Sequence, residues 1–244
     1  MSWSFWRKIV NRLLFFSFFM VLFLLGCAAR EDVRIINESK RVISKKKKSI
    51  DELEELRGKL KRVINRKIRA VELLEEADRL LAAKYMDIGS YNLALEVLKE
   101  AEYLKPENAF IKKDIGLCYY FLGRAETDER AAKEYYSSAR LYLEKAIELE
   151  PDLIEARYSL GLLLFFGFKD VSGAIKQMKI ILEENPDDVD AHFALGRFYY
   201  EINELGKALN EYITLTRILP KNSPRYKKAE ENIIKINREL GYYE

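Results

Sequence analysis

With one histidine and two cysteines in 244 residues, the chain carries little that can do chemistry. A zinc site needs a cluster of imidazole and thiolate ligands, and His192, Cys27 and Cys118 are too few to build one. General acid–base sites usually lean on histidine. His192 stands at the fourth position of a helical segment, where a packing or rim residue is expected. There is no glycine-rich phosphate loop and no Gly-x-Ser-x-Gly turn. Cys118 falls on an apolar helix face, which suits a buried, inert thiol better than a nucleophile. No catalytic residue, metal or cofactor is expected, and the chain does not read as an enzyme. Long apolar runs are missing too. The longest, Leu13 to Leu25, falls short of the roughly 20 residues of a membrane span.

That run has another use. Arg7, Lys8 and Arg12 precede it as a positive segment, and its length suits the apolar core of a signal peptide. It ends in Leu24-Leu25-Gly26-Cys27, which resembles the lipobox of bacterial lipoproteins. The resemblance implies that residues 1–26 are a signal peptide cut before Cys27, whose thiol and new amine are then acylated. Several acyl chains on one residue hold a protein firmly, where a single chain binds only marginally. Cys118 is then left without an intramolecular partner. Ala28 stands where an aspartate would mark inner-membrane retention in those lipoproteins, so the resemblance favours the outer membrane, facing the periplasm.

The net charge of +3 comes from the signal, since residues 27–244 carry 39 basic and 39 acidic side chains. Neutrality there hides a split. Residues 28–71 hold 15 basic and 7 acidic residues, whereas residues 72–244 hold 24 and 32. A basic stretch beside a lipid anchor can serve as a membrane-proximal stalk, each Lys or Arg contributing about 1 kcal/mol near an anionic surface. A solvated helix of alternating charge accounts for it equally well. Nucleic acid is not an expected partner. Residues 27–48, with Lys45 to Lys48, are either a lipid-anchored basic tether or a further helix.

What the chain has in quantity is repetition. Four segments end in a helix followed by Pro106, Pro151, Pro186 or Pro220. Twelve residues before each proline stands an alanine: Ala94, Ala139, Ala174 and Ala208. Before those come Ala82, Gly116, Gly161 and Gly196, each inside a helical pattern. The first full unit, 75–108, also carries Leu81, Tyr85, Leu98 and Ala101, and the last, 189–222, carries Leu195, Tyr199 and Tyr212. This phased set resembles the tetratricopeptide repeat, or TPR, a 34-residue helix-turn-helix. The resemblance implies an all-α, right-handed superhelical solenoid of four repeats at 75–108, 109–153, 154–188 and 189–222. Small residues let paired helices approach, and proline ends each unit. A single unit cannot bury its apolar face, so stability comes from stacking.

Two repeats depart from the unit length. Between Gly116 and Ala139 there are 23 positions instead of 12, a surplus close to three helical turns. The two helices of that unit should therefore extend beyond their neighbours. The third unit has one extra residue, placed in its turn around Gly167 to Gly173. Helical caps are expected at both ends. At residues 49–74, Ser49 and Glu52 form a capping signal ahead of a stripe of Leu53, Leu56, Leu60, Ile64, Ile68, Val71 and Leu74. Residues 223–244 give a charged, amphipathic terminal helix.

In TPR proteins the first helix of each repeat lines a concave groove. Carried over here, that position implies Phe110, Lys113, Leu117, Tyr120 and Phe121 in the second repeat. The third supplies Tyr158, Leu162, Phe165 and Phe166, and the fourth Phe193, Arg197, Tyr200 and Glu201. Aromatics with a few charges suit an extended or helical peptide, although aromatics at helical spacing also serve as core. The carboxylate clamp of some TPR members is missing, because Asp114 and Leu117 stand where it needs asparagine. The resemblance implies a non-catalytic adaptor or scaffold in a bacterial envelope assembly, anchored by its lipid and holding envelope proteins in its groove. The alternative is a transport-associated lipoprotein that binds a ligand or partners a solute-binding protein.

Overall fold

A computed structural model describes residues 30–44 and 49–242; the signal segment, Cys27 and Lys45 to Lys48 lie outside the described residues. Two compact units divide at Leu73 and Leu74. Among the described residues no helix is long and apolar enough to cross a membrane.

The first unit pairs α1, over residues 30–44, with the start of α2, Ile50–Asp87. Of the two readings open for 27–48, the helix holds over 30–44. Lys59 meets Glu38 at 3.3 Å and Arg66 meets Asp32 at 2.5 Å, so the two helices run antiparallel. The predicted capping box forms as a reciprocal pair. The Glu52 amide donates to Ser49 Oγ at 3.1 Å, and the Ser49 amide to Glu52 Oε2 at 3.2 Å.

The division between the two units falls beside the boundary expected at 74, but the helix itself runs on to Asp87, because neither proline nor glycine follows Gly58 before Gly89 and nothing local stops it. The predicted stripe is misplaced. Leu56 and Val63 are buried, but Leu53, Ile64, Ile68, Val71 and Leu74 stay exposed. The seam with α1 runs along residues 56, 59, 63 and 66, one narrow seven-residue edge of α2. A single neighbouring helix covers only that edge.

The second unit is built of helix pairs. The end of α2 pairs with α3 (Tyr91–Leu104), α4 (Ala109–Ala125) with α5 (Glu129–Leu149), and α6 (Ile154–Leu162) with α7 (Val171–Glu184). The last pair is α8 (Val189–Glu201) with α9 (Leu205–Ile218), and α10 (Pro224–Glu239) closes the stack. Each second helix buries the same i, i+4, i+7 edge: Ala94, Leu98 and Ala101, and then its equivalents in α5, α7 and α9. The predicted glycines stand against those edges. A Cβ on Gly116 would lie 2.8 Å from Leu143, and one on Gly196 2.8 Å from Tyr212. Side-chain caps from Asn108, Asp128, Asp170, Asp188 and Ser223 start five of the helices, each contributing about 1 kcal/mol.

The surplus of the second repeat lengthens both its helices, α4 to 17 residues and α5 to 21. Their added turns repeat the packing rule seven residues on, with Gly123 against Tyr136 as Gly116 is against Leu143. The extra residue of the third repeat is absorbed elsewhere than expected. It widens the end of the first helix into a π turn, Leu163–Gly167, where the Phe168 amide donates to the Leu163 carbonyl at 3.2 Å.

Cys118 is fully buried, and burial, then the nearby Asp114 carboxylate, push its thiol up to about 12. Only the thiolate is nucleophilic. In a Cys27→Ser variant, a thiol-titrating disulfide reagent at pH 8 should therefore find no reactive sulfur until urea unfolds the chain. Rapid native labelling would show that the helix pair opens around Cys118.

Candidate functional site

The concave side of the second unit holds a cleft of about 730 Å³ between α4, α6, α8 and α10. Its floor is aromatic: Tyr120, Phe121, Tyr158, Phe166, Phe193 and Tyr200 all line it. The lining side chains are placed by helical spacing, four residues from Tyr158 to Leu162 and from Phe193 to Arg197, so successive turns present to one side. Burial pushes the Tyr120 and Tyr158 hydroxyls above their ordinary range, and Tyr212, beneath the cleft, up to about 12.

Cations stand over this floor. Arg197 lies 4.5 Å from the Phe166 ring centre, and Lys235 lies 4.2 Å from that of Tyr200. Arg124 is 5.8 Å from Tyr120 and 5.9 Å from Phe121. Each distance is within reach of a cation–π contact. Contact with the Tyr200 hydroxyl raises Lys235 above the ordinary lysine value, so it is charged at neutral pH. That hydroxyl donates in turn to Glu239 at 2.6 Å.

Of the residues expected to line the groove, nine line the cleft: Tyr120, Phe121, Tyr158, Leu162, Phe166, Phe193, Arg197, Tyr200 and Glu201. Tyr120 does so while almost wholly buried. Phe165 does not line it. The π turn rotates this residue inward, and it stacks on Phe198 at 4.3 Å as core. Phe110 sits in a separate depression near Pro106, under Arg79. Lys113 is half-buried in an ion pair with Asp114 at 2.8 Å, and the half-buried Leu117 is also outside the cleft.

His192 is a tie between helices. Nδ1 lies 2.6 Å from the Glu211 carboxylate and Nε2 2.9 Å from the Pro186 carbonyl, and the ring is buried. Among the described residues, no group of three or more His, Cys, Asp or Glu side chains could hold a metal.

The sequence reading missed Lys228, Asn232 and Lys235, which bring α10 to the cleft as a wall. Their spacing of four and three residues marks one helical face and was available as a signal. The terminal helix lies outside the repeat, so the repeat pattern carries no position for it in the groove.

Comparison with known proteins agrees with this architecture. The family described as "Regulator of microtubule dynamics protein 1-3" matches residues 73–223. The Saccharomyces cerevisiae anaphase-promoting complex subunit CDC16 is 26% identical over 149 residues, 59% of this chain but 16% of the relative. The Arabidopsis thaliana protein CTR9 homolog is 27% identical over 153 residues, 58% of this chain and 14% of the relative. The chain thus spans a small part of the curated relatives it matches. A thermophilic TPR protein of Thermus thermophilus superposes with a TM-score of 0.60 at 18% identity, covering 83% of this chain and 99% of that one. The human IFIT1 dimer with PPP-AAAA gives 0.62 at 23% identity, covering 77% and 44%. MamA gives 0.50 at 20% identity, covering 70% and 96%. These likenesses show the fold: the second unit is an all-helical TPR solenoid.

Proposed function

The chain belongs to the regulator of microtubule dynamics protein 1-3 family, and from that starting point we propose that it is a non-catalytic adaptor holding a segment of a protein partner in the cleft of its second unit. The observation that carries this reading is the cleft itself, an aromatic floor open to solvent and framed by four helices. TPR neighbours support a protein-binding role for such a surface. We further propose a lipid on Cys27 that tethers the chain to a membrane, the outer membrane of a bacterial envelope, where its partners are envelope proteins. The lipobox resemblance and the basic residues 28–71 support this. The family's description names microtubule dynamics, whereas the Leu24 to Cys27 sequence favours an envelope partner for this chain.

The test is cross-linking of the membrane-bound protein, with mass spectrometry of the linked peptides. Links from one recurring partner to α4, α8 and α10 are expected. They should be lost in a Phe121→Ala, Phe193→Ala, Tyr200→Ala variant that keeps its helicity. A partner that persists in the variant, or that links only to other faces, would sink the reading. A second reading rests on the cleft's volume, which lies in the range of small-molecule pockets. A transport-associated ligand module would show added mass in native spectra of the purified protein.

A further inference from the structure

The sign of the charge in the cleft is opposite to that of the unit around it. Residues 74–244 carry 31 acidic and 24 basic side chains. The cleft is lined by four basic residues, Arg124, Arg197, Lys228 and Lys235, and by one acidic residue, Glu201. Some of these have partners within their own helix. Arg197 meets Glu201 at 3.8 Å, and Lys228 meets Glu231 at 3.1 Å. Both are exposed one-turn pairs, which contribute little and exchange readily. Arg124 and Lys235 have no carboxylate within ion-pair distance among the described residues.

The rings beneath change what a partner meets. Phe166 and Tyr200 have their faces covered by Arg197 and Lys235, and Tyr120 and Phe121 lie under Arg124. An incoming apolar side chain therefore finds those faces occupied. A carboxylate instead finds cations already held in position by the rings, with less side-chain freedom to lose on binding. Three such cations come from three helices, α4, α8 and α10, so they frame the cleft rather than form one surface stripe.

We propose that the cleft selects an acidic protein segment, whose Asp or Glu side chains bridge Arg124, Arg197 and Lys235. Phe193 is likewise covered, by Arg225 at 5.3 Å, so the segment's apolar residues reach Tyr158, the floor ring with no cation over it among the described residues. This rests on the adaptor reading above and adds the chemistry of the partner. It also gives α10 a recognition role, through Lys228 and Lys235, beyond closing the solenoid.

The test is a selection of random 12-residue peptides displayed on phage against the purified full-length chain in detergent micelles. Recovered peptides are expected to be enriched in Asp and Glu. Their affinity, followed by fluorescence anisotropy of synthetic copies, should fall at least tenfold between 50 and 500 mM salt. It should fall at least tenfold in an Arg197→Glu, Lys235→Glu variant, whose exposed positions leave the circular dichroism spectrum unchanged. Neutral or basic peptides that still compete for the cleft would overturn the acidic preference and leave the adaptor reading standing. If no peptide is recovered, both fall. If an adenylate oligonucleotide or anionic lipid vesicles bind, and lose binding in the charge-reversed variant while acidic peptides do not bind, the cations serve another class of anion and the proposal is wrong.

Discussion

Replacing Glu102 with leucine is expected to destabilise the second unit by about 3–5 kcal/mol, the usual result of stripping a buried ion of its partner. For a chain of this length that is a drop of roughly 6–20 °C in thermal midpoint. Glu102 holds two lysines. Lys99 lies 3.0 Å from one carboxylate oxygen, and Lys112 is in close contact with the other. Tyr142 completes the group, its hydroxyl accepting from Lys99 and donating to Glu102 at 3.4 Å. Lys112 is the vulnerable member, because its side chain is only 8% exposed and cannot reach water when Glu102 is gone.

A second substitution, Lys112→Met, should restore most of the loss, since removing both ions of a buried pair is far less harmful than removing one. If Glu102→Leu alone shifts the midpoint by under 2 °C, the lysines find water by another route and the network is superficial. The same site gives an acid limit. Burial pushes Glu102 up, but Lys112 and Lys99 outweigh it and hold the carboxylate below its ordinary 4.5. Its folded value is depressed, so its contribution is complete above the unfolded value and is lost as pH falls through the folded one. Acid sensitivity from this group therefore belongs below about pH 4.5.

Gly116→Val is the second large effect, an expected loss of about 1–3 kcal/mol from overpacking. A Cβ there would sit 2.8 Å from Leu143 Cγ and 3.2 Å from the Ala139 carbonyl oxygen. Backbone cannot move aside without separating α4 from α5. Gly206, near the start of α9, has no atom within 4 Å of the same added carbon. Gly206→Ala should therefore raise stability by up to about 1 kcal/mol, from helix propensity alone. Urea unfolding of both variants decides it. Equal effects would mean that glycine acts in Gly116 through the backbone and not through the close approach.

Such close approaches were readable because they are set by short spacings that repeat. Gly116, Gly161 and Gly196 stand before Ala139, Ala174 and Ala208, and the structure seats each glycine on the second helix of its repeat. The Ser49–Glu52 box was readable for a similar reason, as both residues act within one turn. The continuity of α2 was not. The repeat length places the division between the units within one residue, but nothing in residues 59–87 shows that one helix runs unbroken through it. Exposure of Ile64 and Ile68 was beyond reach as well, because it depends on which edge α1 covers. In the groove, the periodicity found the correct helices but could not separate Phe165 from Phe166. They are adjacent, and the split between core and cleft depends on a π turn that no local motif announces.

That turn also bears on how such a chain can change length. In a stack of capped helices, an added or lost residue ordinarily throws every later side chain onto the wrong face. Here the surplus is held as slack inside a helix, between Leu163 and Gly167, while the loop after it keeps its Asp170 cap. Loss of one residue from the wide turn would tighten it to an ordinary helix and leave α7 to α10 in frame. The third repeat can thus shed one residue without rebuilding the stack. The adjacent phenylalanine pair, one ring for the interior and one for the cleft, is what that slack makes possible.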